Sequence, residues 1–369
     1  MRESDIQISR VDWSVVLIYF ALVIFGWFNI YAAVYDSQAP QSMFDMSINS
    51  GQQLVRIGIS VILIILIMVA DYRFFENLSL FIFLFFVALL VVTPFIGKEV
   101  NGQVLSIGFG SFRIQPGEFA KFATALALAK IMERPTFDLT KTRNQLIAFG
   151  VLFIPILLIL LQPDTGTAMV FFAFLLMFYR EGLPQWYFVL GFGIIALALL
   201  ALGIENNLYL AGAIILVVVI LSLLGRKSMK KTWVLSLIGL GLIAFTYSLD
   251  YVVSKLPPHQ QYRIMVLFNP NIDPLGVGWN VTQSKIAIGS GGLFGKGYLE
   301  GTQTKFDFVP EQHTDFIFCT LGEEFGWMGS LIVIGLFTAL LYRLVIMAER
   351  QKTRFSRIYG YGVVSILFF

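Results

Sequence analysis

Residues 78–92 read Leu78-Ser79-Leu80-Phe81-Ile82-Phe83-Leu84-Phe85-Phe86-Val87-Ala88-Leu89-Leu90-Val91-Val92, fifteen positions without a charge. The apolar window around them runs over 77–97, and a helix of about 20 such residues crosses the roughly 30 Å of hydrocarbon in a bilayer. Comparable windows recur at 13–34, 54–70, 119–132, 145–162, 166–179, 186–203, 208–225, 232–249 and 328–348. Another opens near Tyr359 and reaches Phe369, so a span cut short is expected there. The windows 119–132 and 166–179 are short, which suits helices that are tilted, re-entrant or shielded by neighbours. Of 369 residues, 57% are apolar and 13% charged, and the mean hydropathy is +0.78. Soluble domains run near a quarter charged, so a water-soluble enzyme is excluded. A secreted protein would carry one apolar run ahead of a polar mature chain. The expected fold is an all-α polytopic membrane helix bundle of about ten spans plus a truncated one. Residues 1–369 then form a single transmembrane domain.

Lys and Arg set the orientation of such a bundle. With the N-terminus inside, the inner segments 1–12, 71–76, 130–144, 180–185, 226–231 and 343–357 hold 17 basic residues, and the outer segments hold 7. A cytoplasmic N-terminus follows, and residues 250–315 become a large extracytoplasmic loop. This stretch keeps Ile286, Ile288, Leu293 and Phe294 among its glycines, which favours an ordered cap over a slack connection. The net charge of +3 comes without a basic stripe interleaved with aromatics, so no nucleic-acid partner is expected. The lone Cys319 and the two histidines, His259 and His313, offer no metal-ligand spacing.

Ionisable residues at membrane depth are costly and mark pairs, pathways or sites. Four clusters at the outer ends qualify. In Arg113-Ile114-Gln115-Pro116-Gly117-Glu118-Phe119-Ala120-Lys121, Pro116 suits a first helical turn, and Glu118 and Lys121 share a face. The alternative reading is an ordinary helix start with a surface ion pair. In Gln162-Pro163-Asp164-Thr165-Gly166-Thr167, Asp164 reads equally as a helix N-cap. The run from Asp273 to Gly297, with Lys285 and Lys296, is dense enough in glycine to turn backbone N–H groups toward an anion, or to be a flexible loop. In Pro310-Glu311-Gln312-His313-Thr314-Asp315-Phe316, followed by Gly322-Glu323-Glu324-Phe325-Gly326, Asp315 stands where a polar loop meets an apolar run. Partial desolvation there makes a carboxylate a better base; a helix cap is the other reading.

Together the clusters resemble the SEDS family of bacterial cell-wall polymerases, and most of all its RodA branch. Residues 113–121 match the family's Gln-Pro-Ser-Glu-x-x-Lys with Gly117 in the Ser place, and 162–167 and 273–318 match two further motifs. The resemblance implies a peptidoglycan glycosyltransferase that joins lipid II units during cell elongation, on the outer face of the bacterial inner membrane. The acceptor 4-hydroxyl attacks the donor's anomeric carbon, undecaprenyl pyrophosphate leaves, and the α-linked donor becomes a β-1,4 bond. The family's essential acid falls on Asp315, and its cavity-lining Glu and Lys fall on Glu118 and Lys121. Arg113, Arg263, Lys285 and Lys296 are further outer-side cations for the pyrophosphate, and Asp164, Glu311 and His313 complete the expected substrate-binding set. A divalent cation, Mg or Mn, is compatible with the departing pyrophosphate, but the sequence assigns no ligand set and no other cofactor. The expected partners are lipid II, the membrane and a class B penicillin-binding protein as transpeptidase.

The family's Arg-Trp pair before the first motif is replaced by Gln103-Val104. Nine windows precede the large loop where family members have seven, so 208–249 is expected to be an inserted helical hairpin. A flippase for lipid-linked precursor is the competing function, since buried charges also suit a transport pathway. The concentration of polar clusters on one side argues against it, because alternating access needs contacts leading to both. A non-catalytic scaffold is a third reading.

Overall fold

The computed structural model describes residues 11–369 apart from 37–38, 101–102, 110–111, 205, 225–228, 257, 267, 269–276, 306–307 and 309–311. The protein is an all-α, multi-pass membrane protein, and its chain divides into two compact units, Met1–Pro184 with Trp327–Phe369, and Gln185–Gly326.

The first unit contains α1 (Trp13–Val34), α2 (Asn49–Val69), α3 (Tyr72–Ile96), α4 (Pro116–Met132), α5 (Thr142–Leu160), α6 (Thr165–Val170) and α7 (Phe174–Arg180). At its centre lies α4. Its Ala123, Ala125, Ala127 and Ala129 are wholly buried, because a run of small side chains lets neighbouring helices approach closely. The terminal helix, Arg354–Phe368, uses the same device: a Cβ on Gly362 would stand 3.2 Å from the Ala125 methyl. Phe86 of α3 stacks on Phe119 with ring centroids 5.5 Å apart. Neighbours therefore enclose the short span 119–132. The other short span is broken instead: α6 and α7 are joined by a 3-10 turn, Phe171–Ala173, and Phe171, Phe174 and Phe178 are buried.

Among the described residues, seven helices are long and apolar enough to cross a membrane, while Thr165–Arg180 and Asn207–Leu223 are shorter apolar stretches. Between α3 and α4 the chain forms a small antiparallel sheet, β1 (Lys98–Val100), β2 (Gln103–Phe109) and β3 (Phe112–Ile114), with Ile107 opposite Ile114. Outside a helix the backbone N–H and C=O groups still need partners, and a hairpin supplies them locally. It delivers the chain directly to Gln115 and Pro116.

The charged ends of this unit pair with one another. Arg343 reaches Asp12 at 3.8 Å and Lys130 reaches Glu76 at 3.3 Å. Arg180 pairs with Glu349, and Arg357 makes two hydrogen bonds of 3.2 Å to Glu181. Arg354 donates to the Arg134 and Phe137 carbonyls. Every one of these groups belongs to, or borders, a segment that the basic-residue count assigns to the inner side.

The second unit opens with α8 (Trp186–Gly203), α9 (Asn207–Leu224) and α10 (Met229–Lys255). The helices α9 and α10 pack where Gly239 meets Val218, so the stretch 208–249 is a helical pair, its second helix continuing to Lys255. The following segment is more helical than a loop: α11 (Pro258–Met265), α12 (Val277–Ser290) and α13 (Thr302–Lys305) precede α14 (Ile317–Glu349). At Gly326, φ of +64° and ψ of −161° interrupt α14, at the residue where the second unit ends.

Candidate active site

Two polar assemblies occupy the positions singled out by the motifs, one in each unit.

In the first unit, Pro116 takes the first turn of α4 and Glu118 follows in the same turn, where the positive end of the helix dipole favours a carboxylate. Lys121 Nζ lies 2.7 Å from Glu118 Oε2, with the Lys side chain 14% exposed and the Glu side chain 52%. The shared face expected from their spacing is therefore an ion pair. Asp164 caps α6 through Oδ1, which accepts from Thr167 N at 3.0 Å. Its other oxygen accepts from Gln115 Nε2 at 3.1 Å. Asp164 is thus both a cap and the link between the first two motifs. Gly117 is buried, and a Cβ there would lie 3.2 Å from the Thr167 methyl. Gln162 donates to the Leu90 carbonyl at 2.8 Å. Arg113, on β3, is exposed.

In the second unit the Gly-rich motif closes on Glu323, a residue to which the sequence reading assigns no role. Glu323 is wholly buried. Its Oε1 accepts from Lys296 Nζ at 2.6 Å, Thr302 N at 2.8 Å, Gln303 N at 2.9 Å and Thr302 Oγ1 at 3.2 Å. Its Oε2 accepts from Thr304 N at 3.0 Å and Thr304 Oγ1 at 3.1 Å. A buried carboxylate survives only when paired and fully hydrogen-bonded, and this one is both. The glycines let backbone meet backbone around it: a Cβ on Gly291 would strike the Gly322 carbonyl, and one on Gly295 the Glu324 carbonyl. Lys296 N and Gly297 N donate to the Glu323 and Glu324 carbonyls at 3.0 and 3.1 Å. The signal in the sequence was the Glu323-Glu324 pair set between Gly322 and Gly326 in an apolar run.

The remaining residues fall as follows. Asp315 lies in the turn before α14 and is exposed. The next residue, Phe316, packs on buried Ala287 of α12 and Cys319. Lys285 is exposed on α12, and two residues of helix, roughly 200° of rotation, turn it away from the Ala287 contact. His313 is half-buried. Lys296, expected as a cation for pyrophosphate, is engaged with Glu323 at 2.6 Å. Arg263 lies on α11, but its side chain is outside the described residues, as is Glu311 altogether. Glu118, Lys121, Arg113 and Asp164 belong to the first unit, and Lys285, Lys296, His313 and Asp315 to the second. Among the described residues no three His, Cys, Asp or Glu side chains are grouped to hold a metal ion.

An exposed carboxylate on a turn pinned beside an apolar helix can take a proton from a substrate held at the membrane surface. Comparison with known proteins identifies the family of the chain, independently of these residues. Residues 12–209 and 184–369 match the FtsW/RodA/SpoVE family model, described as cell cycle protein. The peptidoglycan glycosyltransferase RodA of Treponema pallidum is 32% identical, over 98% of this chain and 88% of that protein. The peptidoglycan glycosyltransferase MrdB of Escherichia coli is 31% identical, over 97% and 81% respectively. Among solved structures, a chain of a peptidoglycan synthase complex superposes with a TM-score of 0.67 at 23% identity, covering 97% of this chain and 84% of that one. The rod shape determining protein RodA of Thermus thermophilus gives 0.58 at 22% identity, over 97% and 81%. These two likenesses concern the fold. By the family match and the sequence identities, the chain belongs to the FtsW/RodA/SpoVE family of cell cycle proteins.

Proposed function

We propose that this peptidoglycan glycosyltransferase polymerises lipid II into β-1,4 glycan strands during cell elongation, with Asp315 as its general base. The acceptor's 4-hydroxyl loses its proton to Asp315 as its oxygen bonds to the donor's anomeric carbon. The bond from that carbon to pyrophosphate breaks, undecaprenyl pyrophosphate carries away the electron pair, and the configuration inverts. Positioned proton transfer of this kind contributes roughly 10²–10⁴ in rate. Negative charge growing on the departing pyrophosphate calls for cations, for which Lys121, Arg113, Arg263 and Lys285 are the candidates. Lys296 contributes less directly, since its ammonium already neutralises Glu323.

The single observation that carries this reading is the placement of Asp315, exposed in a polar turn two residues ahead of the apolar helix α14. A lipid-linked sugar can meet such a carboxylate while its chain stays in the bilayer. The reading puts the N-terminus in the cytoplasm, the reaction at the outer face of the bacterial inner membrane, and a class B penicillin-binding protein beside the chain to crosslink the product. The test is incubation of purified protein with lipid II, alone and with that transpeptidase, followed by glycan-length analysis. Wild-type protein is expected to yield polymer and folded Asp315→Asn none. Near-normal polymer from Asp315→Asn overturns the base assignment. Lipid II translocation without polymer, in vesicles, establishes the flippase reading instead.

A further inference from the structure

The turn that carries Asp315 is held on both sides. After it, Phe316 sits against Ala287 and Cys319. Before it, Gln312, only 4% exposed, donates through Nε2 to the Thr304 carbonyl at 2.6 Å. Thr304 is itself held by Glu323 through both its N–H and its hydroxyl. A continuous path of hydrogen bonds thus runs from a buried carboxylate on α14 through Thr304 to Gln312, three positions before the proposed base.

The carboxylate is unusual in what it gathers. Three consecutive backbone N–H groups, from Thr302, Gln303 and Thr304, converge on its two oxygens, together with the Thr302 and Thr304 hydroxyls and the Lys296 ammonium. Two carboxylate oxygens offer about four lone-pair sites, so its acceptor capacity is full. Charge-assisted bonds are about twice as strong as neutral ones, and a saturated set fixes the 302–304 backbone more tightly than apolar packing. Stabilising the fold alone would not need a charge here, because a well-packed apolar substitute for a buried ion pair is often neutral or better. What the charge supplies is direction: it sets where the Thr304 carbonyl points, and that carbonyl receives Gln312.

We infer that Glu323 is a positioning residue for the reaction, acting through Thr304 and Gln312 to hold the Asp315 turn in register with substrate. The inference rests on Asp315 being the base. Displacement of a catalytic group by about 1 Å costs up to roughly 100-fold in rate, with binding little changed. The test uses the full chain in detergent, lipid II as substrate, and the variants Glu323→Gln, Gln312→Ala and Asp315→Asn. Rates are normalised to folded protein, and amide hydrogen exchange is followed at 312–316 and at 280–288.

Gln312→Ala and Glu323→Gln are expected to lower kcat about 10- to 100-fold while KM stays within about twofold. Exchange should quicken at 312–316 and stay unchanged at 280–288. If Glu323→Gln does not fold, Gln312→Ala carries the test alone, since it leaves the carboxylate and its ion pair intact. Wild-type kcat and exchange in folded Gln312→Ala, beside an inactive Asp315→Asn, overturn the positioning role. An active Asp315→Asn overturns the base assignment instead.

Discussion

Gln115 and Asp164, 49 residues apart, are joined by a 3.1 Å hydrogen bond from Gln115 Nε2 to Asp164 Oδ2. The same carboxylate caps α6 through Oδ1, so two motifs share one anchor. Asp164→Ala removes both contacts and is expected to cost about 1–3 kcal/mol of stability. Asp164→Asn keeps a capping oxygen and should cost less than half as much. Thermal unfolding of the purified variants in one detergent checks the ranking.

Removing Lys296 exposes the opposite weakness. Lys296→Met leaves the wholly buried Glu323 without its counter-charge, and breaking a buried pair from one side costs about 3–5 kcal/mol. Adding Glu323→Gln in the same chain should recover part of that loss, because no bare charge then remains. A double-mutant cycle on melting temperatures measures the coupling; simple additivity would contradict the ion pair.

Glycine substitutions should divide sharply. Gly295 has φ of +82° and Gly326 φ of +64°, and a Cβ on either would run into backbone. Alanine at either position is expected to abolish recovery of folded, monodisperse protein. Gly289 lies on α12 with nothing within 4 Å of an added Cβ, so Gly289→Ala should be neutral or stabilise by up to about 1 kcal/mol. Fluorescence-detected size exclusion of the three variants separates the outcomes.

Lys121→Ala tests function apart from stability. Its partner Glu118 is 52% exposed, and a pair with so exposed a member is worth about 0–1 kcal/mol. The variant should melt within a few degrees of wild type while polymerising lipid II at least about tenfold more slowly. Unchanged polymerisation at saturating and at low lipid II would remove Lys121 from the substrate-binding set.

Asp138, in the connection between α4 and α5, gives a pH prediction. Thr140 N and Oγ1 donate to its carboxylate at 2.9 and 2.8 Å, and these bonds hold its carboxyl below the usual carboxylate range. A folded-state value below the unfolded one adds stability above the unfolded value and loses it as pH falls through the folded one. Asp138→Asn should therefore flatten the acid limb of the stability profile below about pH 4 and leave the neutral region unchanged. Melting temperatures across that acid range would show it.

Hydropathy windows located the spans because a bilayer has one dominant requirement, that about 20 successive residues be apolar. Basic-residue counting grouped the segments that end together, and the pairs Arg343–Asp12, Lys130–Glu76 and Arg357–Glu181 join those groups in the fold. Interactions three residues apart were equally legible: the Glu118–Lys121 pair and the Asp164 cap follow from helical spacing alone. The tertiary structure decided the rest. Whether the alanine-rich α4 faces lipid or protein depends on which helices surround it, and hydropathy is blind to that because both surroundings are apolar. The strands β1, β2 and β3 pair where the connection between α3 and α4 leaves helical structure and its backbone still needs partners. Glu323 was visible only as a charge out of place, since its partners Thr304 and Lys296 lie 19 and 27 residues away in sequence. No local rule points a carboxylate at a backbone that distant; only the folding of the glycine turn brings them together.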